Sequence, residues 1–187
     1  MSNLHIDEIN TLDTKINEIN SKIRAMKPSE IIEKRKDIVS WVEDYLMYAY
    51  VYGVDKANKE LGFDLLAEPK EVSDTLNKSI DGKTYKDRIN EYAEVGDAES
   101  IARVITTESH RDYGEGKDKT ARKGGATKKT WVTMGDEKVR DLHEYLDGVT
   151  IGIDEEFYTY DGDHGRFPGD FGSVENNANC RCWNIYS

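Results

Sequence analysis

Apolar residues recur at a helical period through the first two-thirds of this chain, then gather into short runs broken by glycine and aspartate. The first pattern is a seam. Ile9, Leu12, Ile16, Ile19, Ile23 and Met26 are spaced 3, 4, 3, 4, 3 and flanked by Asp, Glu, Lys and Asn. That spacing predicts an amphipathic helix with an a/d stripe just under three heptads long, short for an independent coiled coil. Two partners suit such a stripe: the rest of its own chain, or a helix from a second copy or another protein. Lys27-Pro28 ends the segment, because the residue before proline disfavours helix and proline readily starts the next one. From Ser29 to Glu60 a broad 3.6-period stripe includes Ile31, Ile38, Val42, Leu46, Ala49, Tyr50 and Val54. Gly53 weakens it and Gly62 suits its C-terminal stop.

Glu68-Pro69 predicts a short linker, and Ser73 to Ile80 a further helix turning Leu76 and Ile80 inward. Asp81-Gly82 is a turn signal leading into a helix through about Tyr92. Asp97 is placed to cap the next helix, which carries Ile101, Ala102, Val104 and Ile105. The segment Lys117 to Lys129 holds six basic residues and one acid, with Gly124 and Gly125 inside it, and predicts a mobile basic loop. Beyond it the period changes. Thr130–Met134 and Val149–Ile153 suit strands, Asp136–Leu146 a helix capped by Asp136 and stopped near Gly148, Asp161–Gly172 a loop, and Cys180–Tyr186 a closing strand. No internal repeat is visible. The expected fold is α+β: a helical N-terminal arm over residues 1–79, then a small mixed domain with a few short strands over residues 80–187.

Composition narrows the function classes. A chain of 187 residues with 37% hydrophobic and 34% charged residues has a modest core. A net charge of -11 argues against wrapping nucleic acid with the whole surface and suits docking on other proteins. Only the basic stretch 117–129, locally +5, offers DNA or an acidic protein surface a contact. No apolar run approaches the roughly 18–20 residues that span a bilayer, so no membrane partner is expected. The start Met1-Ser-Asn-Leu-His-Ile-Asp-Glu has no basic opening or apolar run of the signal-peptide kind. Cys180 and Cys182 are the two cysteines. On an extended strand their Cα atoms would stand about 6.5–7 Å apart, at the limit for bridging, so reduced thiols are expected in a cytosolic setting.

The order of motifs carries a resemblance. Gly82-Lys83-Thr84-Tyr85-Lys86-Asp87-Arg88-Ile89 is followed by Ala102-Arg103 and Thr107-Glu108-Ser109-His110-Arg111. Then come Thr130-Trp131-Val132-Thr133, a segment from Asp136 through Arg140 to His143, Leu146-Asp147-Gly148 and Asn179-Cys180-Arg181-Cys182. In this order they resemble the C-terminal domain of the phage Mu F-like minor head proteins, also described as the SPP1-type head morphogenesis family. The resemblance spans roughly residues 80 to 183. Family members often place a histidine-proline pair before the Asn-Cys-Arg-Cys run, where this chain has Asn177-Ala178. The resemblance implies a minor head protein that docks at the portal vertex and assists head assembly or DNA packaging and ejection. Its expected partners are the portal protein and other head proteins, with self-association through the N-terminal helix as a further contact. Its expected location is the virion head interior or portal vertex, and the host cytoplasm during assembly.

Three residue sets could carry chemistry. His143, Cys180 and Cys182, with His110 or Asp141 as a fourth ligand, present the nitrogen and sulfur donors that zinc prefers. The C-x-C spacing departs from the usual C-x2-C knuckle, and the alternative is a hydrogen-bonded histidine beside two small buried residues on a terminal strand. No cofactor is therefore expected, with zinc the alternative. Arg103, Glu108, His110 and Arg111 share a helix, where Glu108 and Arg111 are spaced to pair. A buried network fixing this helix against the Trp131 strand is expected. The alternative is an enzyme, a nuclease or a toxin-like transferase, using Glu108, His110 and His143. Finally, Asp136, Asp141, Asp147 and Asp154, and the Asp161-Gly162-Asp163 turn, read as solvated acids without a converging metal geometry. No catalytic residue is assigned.

Overall fold

The computed structural model describes residues 3–80 and 82–187. Six helices come first: α1 (Asn3–Arg24), α2 (Pro28–Glu33), α3 (Arg35–Leu61), α4 (Pro69–Leu76), α5 (Tyr85–Glu94) and α6 (Ala98–Lys123). Then follow β1 (Lys128–Val132), α7 (Asp141–Glu144), β2 (Thr150–Gly152), β3 (Phe157–Tyr158), β4 (His164–Gly165), α8 (Val174–Asn177) and β5 (Trp183–Tyr186). The α+β class holds, with a helical N-terminal region and short antiparallel strands.

Local chemistry explains most helix ends. Pro28 and Pro69 occupy the first turns of α2 and α4, where a missing N–H costs nothing. The expected linker at Glu68-Pro69 is thus a helix start, and α4 ends at Leu76, before Ile80, which instead bridges Lys83. Asp81 of the expected turn lies outside the described residues. Thr84 and Asp87 form a reciprocal capping box on α5, and the Asp97 carboxylate accepts from the Ser100 amide to cap α6. Gly62 closes α3 in the left-handed conformation at φ 74°.

The helices share one core. Ile9, Leu12, Ile16, Ile19 and Ile23 are buried in the same cluster as Ile38, Leu46, Tyr50, Ile89, Ile101 and Ile105. The seam of α1 is therefore covered by its own chain, chiefly α6, and is not a free surface for a second copy. Helices on both sides of residue 79 contribute to this cluster. At the α3–α6 crossing the backbones nearly touch. A β-carbon on Gly53 would strike the Tyr113 carbonyl, and one on Gly116 would strike that of Tyr50. Gly53, which in an isolated helix only weakens, here permits the crossing.

The three-stranded antiparallel sheet has the order β2-β1-β5, and β3 pairs with β4 in a separate hairpin. Successive β1 side chains point to opposite faces. Val132 enters the helical core with Trp183, while Trp131 enters a second cluster with Leu146, Phe157, Phe171, Cys180 and Cys182. The end of β5 is tied to the helices: the Tyr186 amide donates to Glu60 Oε1 at 2.6 Å, and its hydroxyl to Asp118 Oδ1 at 3.2 Å.

Four expectations beyond residue 116 are corrected. Residues 117–123 continue α6, and Lys128 and Lys129 begin β1, so only a short turn remains of the expected mobile loop. The helix expected over 136–146 is one turn, α7, and Asp136 closes only a local turn, its Oδ1 accepting from the Lys138 amide and from Arg181. The loop expected over 161–172 contains β4. The cysteines precede β5 instead of lying in it.

Candidate functional site

His143, Cys180 and Cys182 converge in the second core. His143 rides on α7, and the two cysteines arrive on the segment between α8 and β5. The His143 Nδ1 atom stands 3.5 Å from Cys180 Sγ and 3.6 Å from Cys182 Sγ. All three ligand atoms lie within 4.8 Å of one another, and all three residues are buried. Trp131 meets the imidazole edge-on at 5.4 Å between centroids, and Phe171 stacks on it at 5.6 Å. A neutral imidazole has one lone pair on Nδ1, so it accepts a proton from only one of the two thiols. The hydrogen bond from Cys182, opposed by burial and aided by His143, holds the Cys180 thiol well below its ordinary pKa. The same contact and burial push Cys182 well above it. Among the described residues this is the one group of three or more His, Cys, Asp or Glu side chains placed to hold a metal ion. His110 and Asp141 do not join it.

The backbone around the site is shaped for it. Asn179 has φ 55°, the one non-glycine residue with positive φ among the described residues. Arg140 donates to the Ala178 carbonyl, clamping the loop that turns Cys180 inward. Asp147 accepts from both the amide and the hydroxyl of Thr133, at 2.7 and 3.0 Å, and the Gly148 amide (φ 75°) donates to Trp131. Asp163 is a hub that no local sequence pattern announces. Its carboxylate accepts from the His164, Gly172 and Ser173 amides, the Ser173 hydroxyl and the Asn176 amide group. Burial alone would raise its pKa, but these donors outweigh it and hold the carboxyl down at about 2. Asp136 and Asp154 pair with Arg181 and Arg122, so the acids expected to be solvated mostly have specific partners.

The Glu108 cluster is buried and ionic, with different neighbours from those expected. Glu108 pairs with Arg111 at 2.7 Å and with Arg88 of α5 at 2.6 Å. Arg111 also reaches Asp112 and the Thr75 carbonyl of α4. The network therefore fixes α6 against α4 and α5, and not against the Trp131 strand. Burial raises the Asp112 pKa to about 7 although Arg111 opposes it. Arg103 is exposed and outside the network. His110 turns the other way, its Nε2 2.8 Å from Asp13 of α1. Glu108, His110 and His143 thus have three separate sets of partners and build no common acid–base site.

The basic stretch is largely neutralised within the chain. Lys117 pairs with Glu60, Lys119 with Glu115, Arg122 with Asp118 and Asp154, and Lys123 with Glu71. Lys129 is buried, its ammonium without a hydrogen-bond partner among the described residues and 5.7 Å from the Phe157 ring centre. Burial pulls its pKa down to about 8.

Residues 70–185, more than half of the chain, match the family described as "Phage Mu protein F like protein". The chain belongs to that family. Its motifs now have physical meaning: Thr84 and Asp87 cap α5, Arg88 reaches Glu108, and Asn-Cys-Arg-Cys delivers two thiols to His143. A 34% identical stretch of 83 residues, 43% of this chain and 27% of the relative, links it to the minor head protein GP7 of Bacillus phage SPP1. A 29% identical stretch of 154 residues links it to the NAD(+)–arginine ADP-ribosyltransferase EFV of Enterococcus faecalis strain ATCC 700802 / V583. That stretch is 76% of this chain and 31% of the transferase. The chain thus spans about a third or less of these curated relatives. No solved structure matches.

Proposed function

We propose that this chain is a phage minor head protein that docks at the portal vertex and assists head assembly or the passage of DNA. The observation that carries this reading is the family match over residues 70–185, together with the SPP1 minor head protein among its relatives. Mechanistically it acts by docking. The buried Glu108–Arg111 network and the shared helical core make a rigid body. Its outer face carries partly exposed apolar side chains: Trp41, Met47, Tyr48 and Val51 of α3 are 38–48% exposed. Positions 41, 48 and 51 lie close to one face of a helix. A stripe of this kind suits a protein partner, and its occupant here is another head protein, the portal first. No helix among the described residues is long and apolar enough to cross a membrane.

The test is complementation in the source phage with Trp41→Asp and Val51→Glu combined. The altered chain is expected to fold, and to be missing from purified heads. Unchanged incorporation would exclude this face. The transferase relative favours an enzymatic alternative, but Glu108, His110 and His143 turn to separate partners and give it no site.

A further inference from the structure

We propose that His143, Cys180 and Cys182 bind one zinc ion, which acts as a staple for the C-terminal part of the fold. In a tetrahedral site with Zn–S near 2.3 Å and Zn–N near 2.0 Å, nitrogen and sulfur ligands stand about 3.5 Å apart, and two sulfurs about 3.8 Å. The distances of 3.5 and 3.6 Å between Nδ1 and the two sulfurs fit the two nitrogen–sulfur edges, and the two sulfurs lie within 4.8 Å of each other. Three donors of the right softness are buried together beside apolar rings, where the thiols otherwise have only weak hydrogen bonds, Cys182 to Cys180 and one thiol to Nδ1. A metal satisfies all three.

The fourth position is open to a particular place. A cavity of about 10 Å3 abuts His143, Cys180 and Cys182 and is bounded by Arg140, Asn179 and Arg181. That is room for about one water molecule. No fourth protein ligand stands there among the described residues, so solvent completes the tetrahedron. The C-x-C spacing, unlike a zinc knuckle, leaves this vertex uncovered. The ion joins α7 to the segment leading into β5, two pieces otherwise held by a six-residue cluster and a few side-chain bonds. Its effect is to tie these two segments together, and it is independent of the portal assignment.

The chain is purified without a polyhistidine tag or chelator, and its metal measured by inductively coupled plasma mass spectrometry. One zinc per chain is expected. Cobalt(II) exchanged into the same protein is expected to give a thiolate-to-cobalt charge-transfer band and tetrahedral d–d bands. Removal by 1,10-phenanthroline should lower the melting temperature by at least about 5 °C, or unfold residues 128–187. Cys182→Ser should lose the cobalt bands, and if that variant fails to fold, the zinc content and chelator response of the unaltered protein decide the question. Metal-free protein that binds no cobalt stoichiometrically, and melts identically with and without chelator, would overturn the proposal. So would full zinc content in a folded Cys180→Ser, Cys182→Ser double variant.

Discussion

The helical body and the small C-terminal core are built on opposite economies. The body buries long aliphatic stripes from α1, α3, α5 and α6 in one cluster, and inside it places a chain of charges, Arg88, Glu108, Arg111 and Asp112. The C-terminal core has strands of two to five residues and six clustered buried side chains. It depends on specific polar anchors: Asp163 on five donors, Asp147 on Thr133, and the paired thiols on His143. A helix satisfies its backbone internally, so the body tolerates surface change. The short strands cannot, and side chains must do the closing. That contrast predicts unequal local stability, with the C-terminal core opening first.

The largest expected effect breaks the body. Arg111→Met leaves Glu108 and Asp112 buried with too little compensation, and should cost about 3–5 kcal/mol in urea unfolding. An unchanged denaturation midpoint would show that the network carries no stability. Trp131→Ala sharpens the difference between the two regions. It should cost about 3–5 kcal/mol locally, and hydrogen exchange should then report loss of protection over residues 128–187, with α3 and α6 still protected. Equal loss everywhere would mean one cooperative unit.

Much of the body is legible in the sequence because the 3.6-residue period of Ile9 to Ile23 and Ile31 to Val54 is strong and Asp97 and Gly62 are specific end signals. What covers the α1 seam is not, since periodicity marks a buried face without naming its neighbour. The C-terminal core is harder to read. Two-residue strands such as β3 and β4 leave no period, and four-residue helices such as α7 and α8 leave almost none. Lys117 to Lys129 looks like a loop because glycine and charge usually mean solvent. In the fold Lys117 finds Glu60, 57 positions away in sequence, which no local pattern announces. His143, Cys180 and Cys182 stand out as a set from residue type alone. Asp163 does not, because an Asp-Gly-Asp turn looks the same whether it faces water or ties a loop together.

Two smaller effects fall one in each region. Lys129 has a folded pKa of about 8, below the ordinary value of 10.5, so holding it charged costs folding energy below pH 8. Between about pH 8 and 10.5 the unfolded chain binds more protons, and stability from this group rises with pH. Lys129→Met should therefore stabilise the protein by on the order of 1–3 kcal/mol at pH 7. The gain over the parent should shrink towards pH 10.5, followed by urea midpoints across that range. A gain independent of pH would show that the ammonium is already well solvated. Thr84→Ala removes the capping box of α5 and should cost about 1 kcal/mol, seen as a small fall in melting temperature; no change would mean that water replaces the cap.

Quantitative mass spectrometry of purified heads from the source phage, scaled to the portal protein, tests the functional assignment most directly. Presence at a copy number on the scale of portal subunits, far below the major capsid protein, is the expected result. Absence from heads while the chain is abundant in the lysate would contradict it.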